Sequence, residues 1–267
     1  MNKKIGFIGA GKMTQAMLDG ILKSTMIDRA NIMASAFSEN TITNIRQSYD
    51  ITTTINNKEV ASFADIIILA IKPDIHVQII DEIKNEINPN DIIVTIAAGI
   101  TLAEIDRAFG FKVKAIRTMP NTPAVVGEGM SVICPNEWIT DKETAEIEHL
   151  FQTFGKTERL PEKLMDAVPA ISGSSPAYVY ILIEAMADGA VQQGIPREIA
   201  YRLAAQAVLG AGKMVLETGQ HPAELKDNVC TPGGATIEAV AALEKEKFRG
   251  SILAAMESCT AKVKLLG

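Results

Sequence analysis

The spacing of apolar and polar positions divides the chain into two halves. Up to about residue 160, short runs rich in β-branched residues alternate with segments whose apolar residues recur at helical spacing. Several of these runs are apolar almost throughout, which is typical of strands buried on both faces of a parallel sheet. The alternation predicts βαβ units and a doubly wound sheet, with strands expected at residues 4–10, 31–36, 50–54, 65–72, 91–99 and 114–119.

The second half predicts helices only. From about residue 160 onward the β-branched runs stop, and Ala, Leu, Met and Glu fill long segments of helical spacing. One predicted helix begins at Ser175, a residue suited to cap it, and stops at Gly194. Another runs from Pro196 to Thr218, with proline at its start, where a missing N–H does no harm.

These patterns predict an α/β fold in two domains. We expect an N-terminal Rossmann-type doubly wound sheet over residues 1–160, followed by an all-helical domain over residues 161–267. Small residues are frequent in the predicted helices, as in "LAAQAVLGAGKM" at 203–214, and they let backbones approach closely. A helical domain of about a hundred residues has much apolar surface relative to its interior. Because such bundles are often completed by a second subunit, we expect a homodimer formed through the C-terminal half.

Composition narrows the classes of partner. The chain has 267 residues, of which 47% are hydrophobic, and a formal net charge of −6 without a basic stripe. Nucleic acid and anionic membrane surfaces are therefore poor partners, and a small molecule is the expected ligand. The longest apolar run, residues 64–71, is far shorter than the roughly 18 residues of a membrane span.

Neither cysteine nor histidine spacing indicates a metal site. The three cysteines are far apart and lack CxxC spacing, so neither a disulfide framework nor a metal knuckle is predicted, and a reducing cytoplasm fits best. The three histidines do not cluster with cysteine or carboxylate at ligand spacing, so no zinc is expected. These residues are Cys134, Cys230, Cys259, His76, His149 and His221.

A glycine-rich turn, "GAGKMT", follows the first predicted strand and opens a helix. Gly9 permits a tight turn, and Gly11 lets the backbone approach a pyrophosphate. The helix that starts near Lys12 points its free N–H groups at the anion. The third small residue of the dinucleotide fingerprint would fall at Thr14, which is neither Gly nor Ala. The strand–turn–helix context nevertheless predicts a dinucleotide site.

The end of the second strand, "MASAFSEN", bears on the choice of dinucleotide. No acidic residue stands at the strand end to bind a ribose 2′-hydroxyl; Ser35 and Ser38 offer hydroxyls, and Glu39 comes late. This absence favours NADP. The segment contains no Arg to bind the 2′-phosphate, however, so Lys12 or a more distant cation would have to do so. The alternative is that both serines cap the next helix.

Two further strand ends are expected to line the cofactor crevice, "AIKP" at 70–73 and "IAAG" at 96–99. Ligands of open α/β sheets bind beyond the carboxyl ends of the strands, and small residues there allow close approach. Lys72 either contacts a phosphate or ribose or is a solvated lysine at a strand end.

The segment "ELKDNVCTPGGATIEAV" at 224–240 is the strongest candidate for a substrate site. Pro232, Gly233 and Gly234 break one helix, and Thr236 is predicted at the N-cap of the next. The free N–H groups of such a helix start, together with the threonine hydroxyl, form a pocket suited to a carboxylate. A capping loop without a ligand is the alternative, and the residues alone do not decide between them.

Six motifs together resemble one enzyme family. "GFIGAGKM", "AIKP", "AAG", "NTP", "SGSSPAY" and "LKDNVCTPGGATI" occur in family order over residues 5–237 and are similar to those of pyrroline-5-carboxylate reductases. The resemblance implies reduction of the cyclic imine 1-pyrroline-5-carboxylate to L-proline by hydride transfer from NADPH, or from NADH, in the last step of proline synthesis. It also implies an interlaced dimer formed by the helical half; some members join five such dimers in a ring.

The resemblance also implies roles for individual residues. The amides of "GGAT" would hold the substrate carboxylate, and the Thr236 hydroxyl would hydrogen-bond the ring nitrogen and relay its proton. Substrate positions are Glu162, Asn228, Ala235 and Thr236, with Thr231, Gly233 and Gly234 in the same loop. Cofactor positions are Ile8, Gly9, Ala10, Gly11, Lys12, Met13, Asn57, Ala70, Ile71, Lys72, Pro73, Ile96, Ala97, Ala98 and Asn228, to which the strand end adds Ser35 and Ser38.

Two alternatives share the N-terminal turn. A β-hydroxyacid dehydrogenase needs a catalytic Lys after a glycine-rich helix start, where this chain has Tyr178, Val179 and Tyr180. A protein that binds the dinucleotide without turnover has no need of the "DNVCTPGGAT" loop, although the fold alone does not exclude it. NADPH that is bound but not consumed in the presence of the imine would favour this second alternative.

Overall fold

The computed structural model describes residues 3–265 and consists of two compact units. One contains the chain up to Ser174 together with the segment from Cys259, and the other is Ser175–Ser258. The first unit is built on eight strands: β1 (Ile5–Ile8), β2 (Ile32–Ser35), β3 (Thr52–Thr54), β4 (Ile66–Leu69), β5 (Ile92–Thr95), β6 (Lys114–Met119), β7 (Gly129–Pro135) and β8 (Gly155–Arg159). Its helices are α1 (Lys12–Lys23), α2 (Glu39–Tyr49), α3 (Asn57–Phe63), α4 (His76–Ile83), α5 (Leu102–Phe109) and α6 (Asp141–Phe151).

The strands form one sheet in the order β3-β2-β1-β4-β5-β6-β7-β8. Strands β1 to β6 are parallel, which confirms the doubly wound sheet and all six predicted strands. β7 and β8 were not predicted: β7 runs antiparallel to β6, and β8 is parallel to β7. β8 is a polar edge strand, "GKTER", whose side chains are half-buried or exposed, so its hydrophobic pattern carries no strand signal.

Alternating side chains of the central strands supply two cores. In β4, Ile66 and Ile68 belong to one cluster and Ile67 and Leu69 to the other, and all four side chains are fully buried. The first cluster includes apolar residues of α1, α2 and α6, and the second those of α3, α4 and α5. Helices therefore cover both faces of the sheet, which is why these strands are apolar throughout.

The second unit is helical, as predicted, and contains α7 (Ser175–Gln192), α8 (Arg197–Thr218), α9 (Pro222–Val229), α10 (Ala235–Lys245) and the start of α11 (Phe248–Val263). Gly219 ends α8 with a positive φ of 65°, a conformation that glycine adopts without steric cost. Several large apolar side chains of these helices are more than half exposed, a pattern that marks an interaction surface. They include Ile181, Leu203, Leu209, Leu216 and Leu253.

Two features are absent from residues 3–265. No helix in this range is long and apolar enough to cross a membrane. The same range contains no group of three or more His, Cys, Asp or Glu residues arranged to hold a metal ion.

Candidate functional site

The carboxyl ends of four neighbouring strands lie in register at one edge of the sheet. Ile8 of β1 pairs with Ser35 of β2 and with Leu69 of β4, and Leu69 pairs with Thr95 of β5. The predicted cofactor segments at 9–13, 70–73 and 96–98 follow these strand ends directly. The strand order reverses between β1 and β4, the position at which doubly wound sheets open a ligand crevice.

The first loop has the geometry of an anion-binding turn. Gly9 has a φ of +99°, and a Cβ built there would lie 2.4 Å from the Ala70 carbonyl oxygen, so only glycine fits. Gly11 is the N-cap of α1 with extended backbone, and a Cβ at this position would meet no atom of residues 3–265 within 4 Å. The N–H groups in the first turn of α1 lack intrahelical acceptors by geometry. The loop thus presents backbone donors and open space at one point.

Thr14 replaces the expected third small residue without opening the loop. Its side chain is fully buried, and its hydroxyl donates a hydrogen bond of 2.6 Å to the carbonyl oxygen of Gly9. Threonine at this position therefore ties the first turn of α1 to the strand–helix turn, which accounts for the departure from the glycine fingerprint.

The side chains of Ser35 and Asn57 form a part-buried hydrogen bond, and Ser35 does not cap a helix. The Ser35 hydroxyl donates to Asn57 Oδ1 at 2.7 Å, and Asn57 Nδ2 donates to Glu82 Oε2 at 3.1 Å. The alternative that Ser35 caps α2 is wrong, because its fully buried side chain points to Asn57 instead. The cap of α3 is Asn56, which leaves the amide of Asn57 available for this link.

Ser38 does cap α2, as one of the two interpretations of the sequence predicted. Its hydroxyl accepts from the Thr41 N–H at 3.3 Å and lies 2.9 Å from the Thr41 hydroxyl. Ser38 remains exposed, and the neighbouring Phe37 ring is fully exposed. Lys12 and Lys72 are exposed as well, so both are free to reach a bound anion.

A buried hydrogen bond joins the two other strand ends. His76, the first residue of α4, has its Nε2 2.9 Å from the Thr95 hydroxyl at the end of β5. The same hydroxyl accepts from the Ala97 N–H at 3.2 Å. Burial lowers the pKa of His76 to about 4, although the negative charge of Glu104 opposes this shift. The imidazole is therefore neutral near pH 7.

Glu162 lies at the start of a 3-10 helix, Glu162–Ala167, in the first unit. Its Oε1 accepts from the Leu102 N–H at 2.7 Å, at the start of α5, and lies 3.7 Å from an Arg117 guanidinium nitrogen. Arg117 is almost fully buried in β6 and also donates to Asp166. The charged residue inside the otherwise apolar strand "KAIRTM" is the sequence signal that could have revealed this cluster.

The "CTPGGAT" loop forms a tight turn ahead of α10. The Gly234 N–H donates to the Thr231 carbonyl oxygen at 3.0 Å, Gly233 has a φ of +69°, and a Cβ at Gly234 would lie 2.4 Å from the Thr231 hydroxyl oxygen. The prediction that Thr236 caps this helix is wrong. Gly234 is the N-cap, and Thr236 is the second helical residue, half-buried within the first turn.

This start of α10 retains the features expected of a carboxylate site. The N–H groups of its first turn, including that of Thr236, have no intrahelical acceptor, and the helix dipole favours an anion there. Asn228 is exposed near the end of α9 and lines an apolar cavity of 490 Å³ within the second unit. Loop and cavity together give this unit both a polar and an apolar binding surface.

The fold and the first loop define a Rossmann-type dinucleotide-binding domain. A family model described as pyrroline-5-carboxylate reductase dimerisation matches residues 162–266, and one described as NADP oxidoreductase, coenzyme F420-dependent, matches residues 4–99. The pyrroline-5-carboxylate reductase of Escherichia coli is 46% identical over 262 residues, covering 98% of this chain and 97% of the relative. The chain therefore belongs to the pyrroline-5-carboxylate reductase family.

Two further relatives cover essentially the whole chain. The pyrroline-5-carboxylate reductase of Methanosarcina acetivorans is 40% identical over 266 residues, covering 100% of this chain and 98% of the relative. The solved structure of Plasmodium falciparum pyrroline carboxylate reductase with NADP bound superposes with a TM-score of 0.89 at 32% identity, covering 100% of this chain and 98% of that one. These matches confirm the resemblance and the two-part architecture inferred from the sequence.

Proposed function

We propose that the described residues carry out the family's reaction in two sites, a cofactor site at the sheet edge and a substrate site at the start of α10. As a member of the family, the chain is an NADPH-dependent oxidoreductase that reduces 1-pyrroline-5-carboxylate to L-proline, the last step of proline biosynthesis. The observation that carries the assignment is the register of the four strand ends around Gly9 and Gly11.

In the cofactor site, we assign the pyrophosphate to the N-terminus of α1. The open space above Gly11 and the first-turn N–H groups support this placement. Segments 70–73 and 96–98 line the crevice, and Asn57, held by Ser35, faces the end of β2. Ser38 and Lys12 are the exposed polar groups suited to a 2′-phosphate. When bound, NADPH supplies the hydride for the imine carbon.

In the substrate site, the first-turn N–H groups of α10, those of Ala235 and Thr236, bind the carboxylate of the imine. Hydride addition moves the C=N electron pair onto the ring nitrogen, which must gain or already hold a proton. The Thr236 hydroxyl hydrogen-bonds this nitrogen and holds the proton there. Gly233 and Gly234 shape the turn, and Thr231 accepts the hydrogen bond that closes it. Asn228 is a further proposed substrate position in the second unit, and Glu162 is one in the first unit.

Replacing the threonine hydroxyl tests this assignment. Thr236→Ala removes a hydrogen bond that strengthens as charge moves onto the ring nitrogen, so kcat should fall by roughly 10²- to 10³-fold. The dissociation constant for NADPH should stay close to that of the wild type. Thr236→Ser, which keeps the hydroxyl, is the matched control and should retain most of the activity. A Thr236→Ala enzyme that works at full rate would remove this residue from the mechanism.

Turnover itself separates the enzyme from a protein that only binds the dinucleotide. Purified protein is mixed with 1-pyrroline-5-carboxylate and NADPH, nicotinamide absorbance is followed, and proline is identified as the product. NADH run in parallel gives the ratio of the two cofactor rates. Binding of NADPH without its consumption would overturn the enzymatic assignment.

We further propose that two copies pair through the helical domain, that five such dimers form a ring, and that the protein acts in the cytoplasm. The dimerisation model that begins at residue 162 supports the pairing and also a functional boundary near residue 160. The exposed apolar side chains of α7, α8 and α11 give the pairing a surface. Unpaired Cys134, Cys230 and Cys259 suit a reducing compartment.

A further inference from the structure

His76 links the two strand ends that we assign to the cofactor. It follows segment 70–73 after one 3-10 turn, Pro73–Ile75, and its imidazole is 1% exposed. Its Nε2 lies 2.9 Å from the hydroxyl of Thr95, which is 0% exposed. The Thr95 hydroxyl in turn accepts from the Ala97 N–H at 3.2 Å. One chain of hydrogen bonds therefore runs from α4 into the loop at 96–98.

The second ring nitrogen of His76, Nδ1, is a reason to ask why this position holds a histidine and not an apolar residue. Nδ1 of His76 is buried and has no hydrogen-bond partner among the residues that the structure describes. An unpaired buried polar atom lowers stability, and an apolar side chain of similar volume would avoid that loss. Neighbouring core residues of α4, Ile80 and Ile83, are indeed apolar. What the imidazole adds at this position is its bond to Thr95.

Thr95 also anchors the strand end from a second side. Its carbonyl oxygen accepts a 3.0 Å hydrogen bond from the Thr118 hydroxyl of β6. This bond holds the backbone of Thr95 but does not determine the rotamer of its side chain. In the observed rotamer the hydroxyl lies within hydrogen-bonding distance of both the imidazole and the Ala97 N–H.

We propose that His76 is a positioning residue for the cofactor, acting through Thr95 to fix the loop Ile96–Ala98. The inference rests on the proposed function of that loop in lining the NADPH crevice. His76 itself does not contact the reacting atoms in this account. Its loss should weaken productive binding of NADPH and leave the chemical step at saturating cofactor largely intact.

A double-mutant cycle tests the link. His76→Leu removes the polar ring, and Thr95→Val removes the hydroxyl at nearly constant volume. Each should raise KM for NADPH roughly 3- to 10-fold, the loss expected for one hydrogen bond. kcat at saturating NADPH and KM for the imine should change less than twofold. Because both variants break the same chain, the double variant should be little worse than either single one. His76→Gln, whose amide reaches the position of Nε2, should restore a KM close to wild type.

Two controls separate this role from structural support and from the cofactor assignment. Ile80→Val trims a buried side chain of the same helix that makes no hydrogen bond, so it should lower the thermal midpoint without changing KM for NADPH. If Ile80→Val raises KM as much as His76→Leu, or if the His76 and Thr95 effects are additive or absent, the positioning role is wrong. Gly11→Val tests the crevice itself: if that variant binds NADPH normally, the proposed cofactor site fails, independently of His76.

Discussion

The two glycines of the first loop should respond in opposite ways to the same substitution. At Gly9, an added methyl group would lie 2.4 Å from the Ala70 carbonyl oxygen, and the φ of +99° disfavours any side chain. Backbone strain of this kind costs about 1 to 3 kcal/mol. Forced overlap with a packed neighbour costs a similar amount, typically 1 to 3 kcal/mol. Gly9→Ala should therefore lose roughly 2 to 6 kcal/mol, a large part of the stability of a domain.

At Gly11 the same methyl group meets no atom of the described part of the chain within 4 Å, and the backbone is already extended. Gly11→Ala should change the free energy of unfolding by less than about 1 kcal/mol, because the reduced freedom of the unfolded chain is offset by the poorer fit of alanine at an N-cap. The methyl group would nevertheless occupy the space assigned to the pyrophosphate. Loss of hydrogen bonds to a charged ligand, about 1.5 to 3 kcal/mol, weakens NADPH binding roughly 10- to 100-fold.

Two measurements on each variant check this contrast. Urea unfolding without cofactor gives the free energy of unfolding, and fluorescence titration gives the dissociation constant for NADPH. We expect Gly9→Ala to lose stability and Gly11→Ala to lose affinity at full stability. A Gly11→Ala protein that binds NADPH as the wild type does would refute the assignment of this turn to the pyrophosphate. A fully stable Gly9→Ala protein would refute the close approach to Ala70.

Two other expectations concern pH and assembly. The pKa of His76 is lowered to about 4 by burial, so between pH 6.5 and 4 the unfolded chain binds a proton that the folded chain does not. As the pH falls through this range, the free energy of unfolding should decrease by up to roughly 3 kcal/mol. Urea unfolding at several pH values should show a smaller decrease for His76→Gln. Light scattering of the purified protein should give the mass of ten chains, and a stable mass of two chains would contradict the proposed ring.

The parts of the fold that depend on local pattern were predictable from the sequence. Runs such as "DIIILAIK" identify buried parallel strands because both faces are apolar, and Gly219 marks the end of α8 because few other residues adopt its backbone conformation. β8 was missed because a polar edge strand obtains its pairing from β7, a neighbour that the pattern of its own side chains does not reveal. Its hydrogen bonds are a property of the sheet.

Side-chain partners were less predictable than elements. From the sequence, both Ser35 and Ser38 could cap α2. In the structure Ser38 caps this helix, whereas Ser35 donates a hydrogen bond to Asn57. The choice depends on the burial of β2, which only the folded sheet defines. The cap of α10 shifted from Thr236 to Gly234 because a glycine with extended backbone can begin a helix without a side-chain acceptor. No local sequence pattern indicated the role proposed for His76, because its partner Thr95 is 19 residues away in the sequence.

The antiparallel pairing of β6 and β7 determines at which end of the sheet their connecting segment lies. A parallel successor to β6 would need a crossover that returns the chain to the opposite end of the sheet. Because β7 is antiparallel, the connecting segment 120–128 stays at the end where the cofactor loops lie. Asn121 holds it by bonds to Met130 and Ser172, while Val125 and Val126 remain exposed. Ala124 anchors the segment in the core, so Val125 and Val126 are the positions at which substitutions can alter this end of the sheet without disturbing the order of the strands.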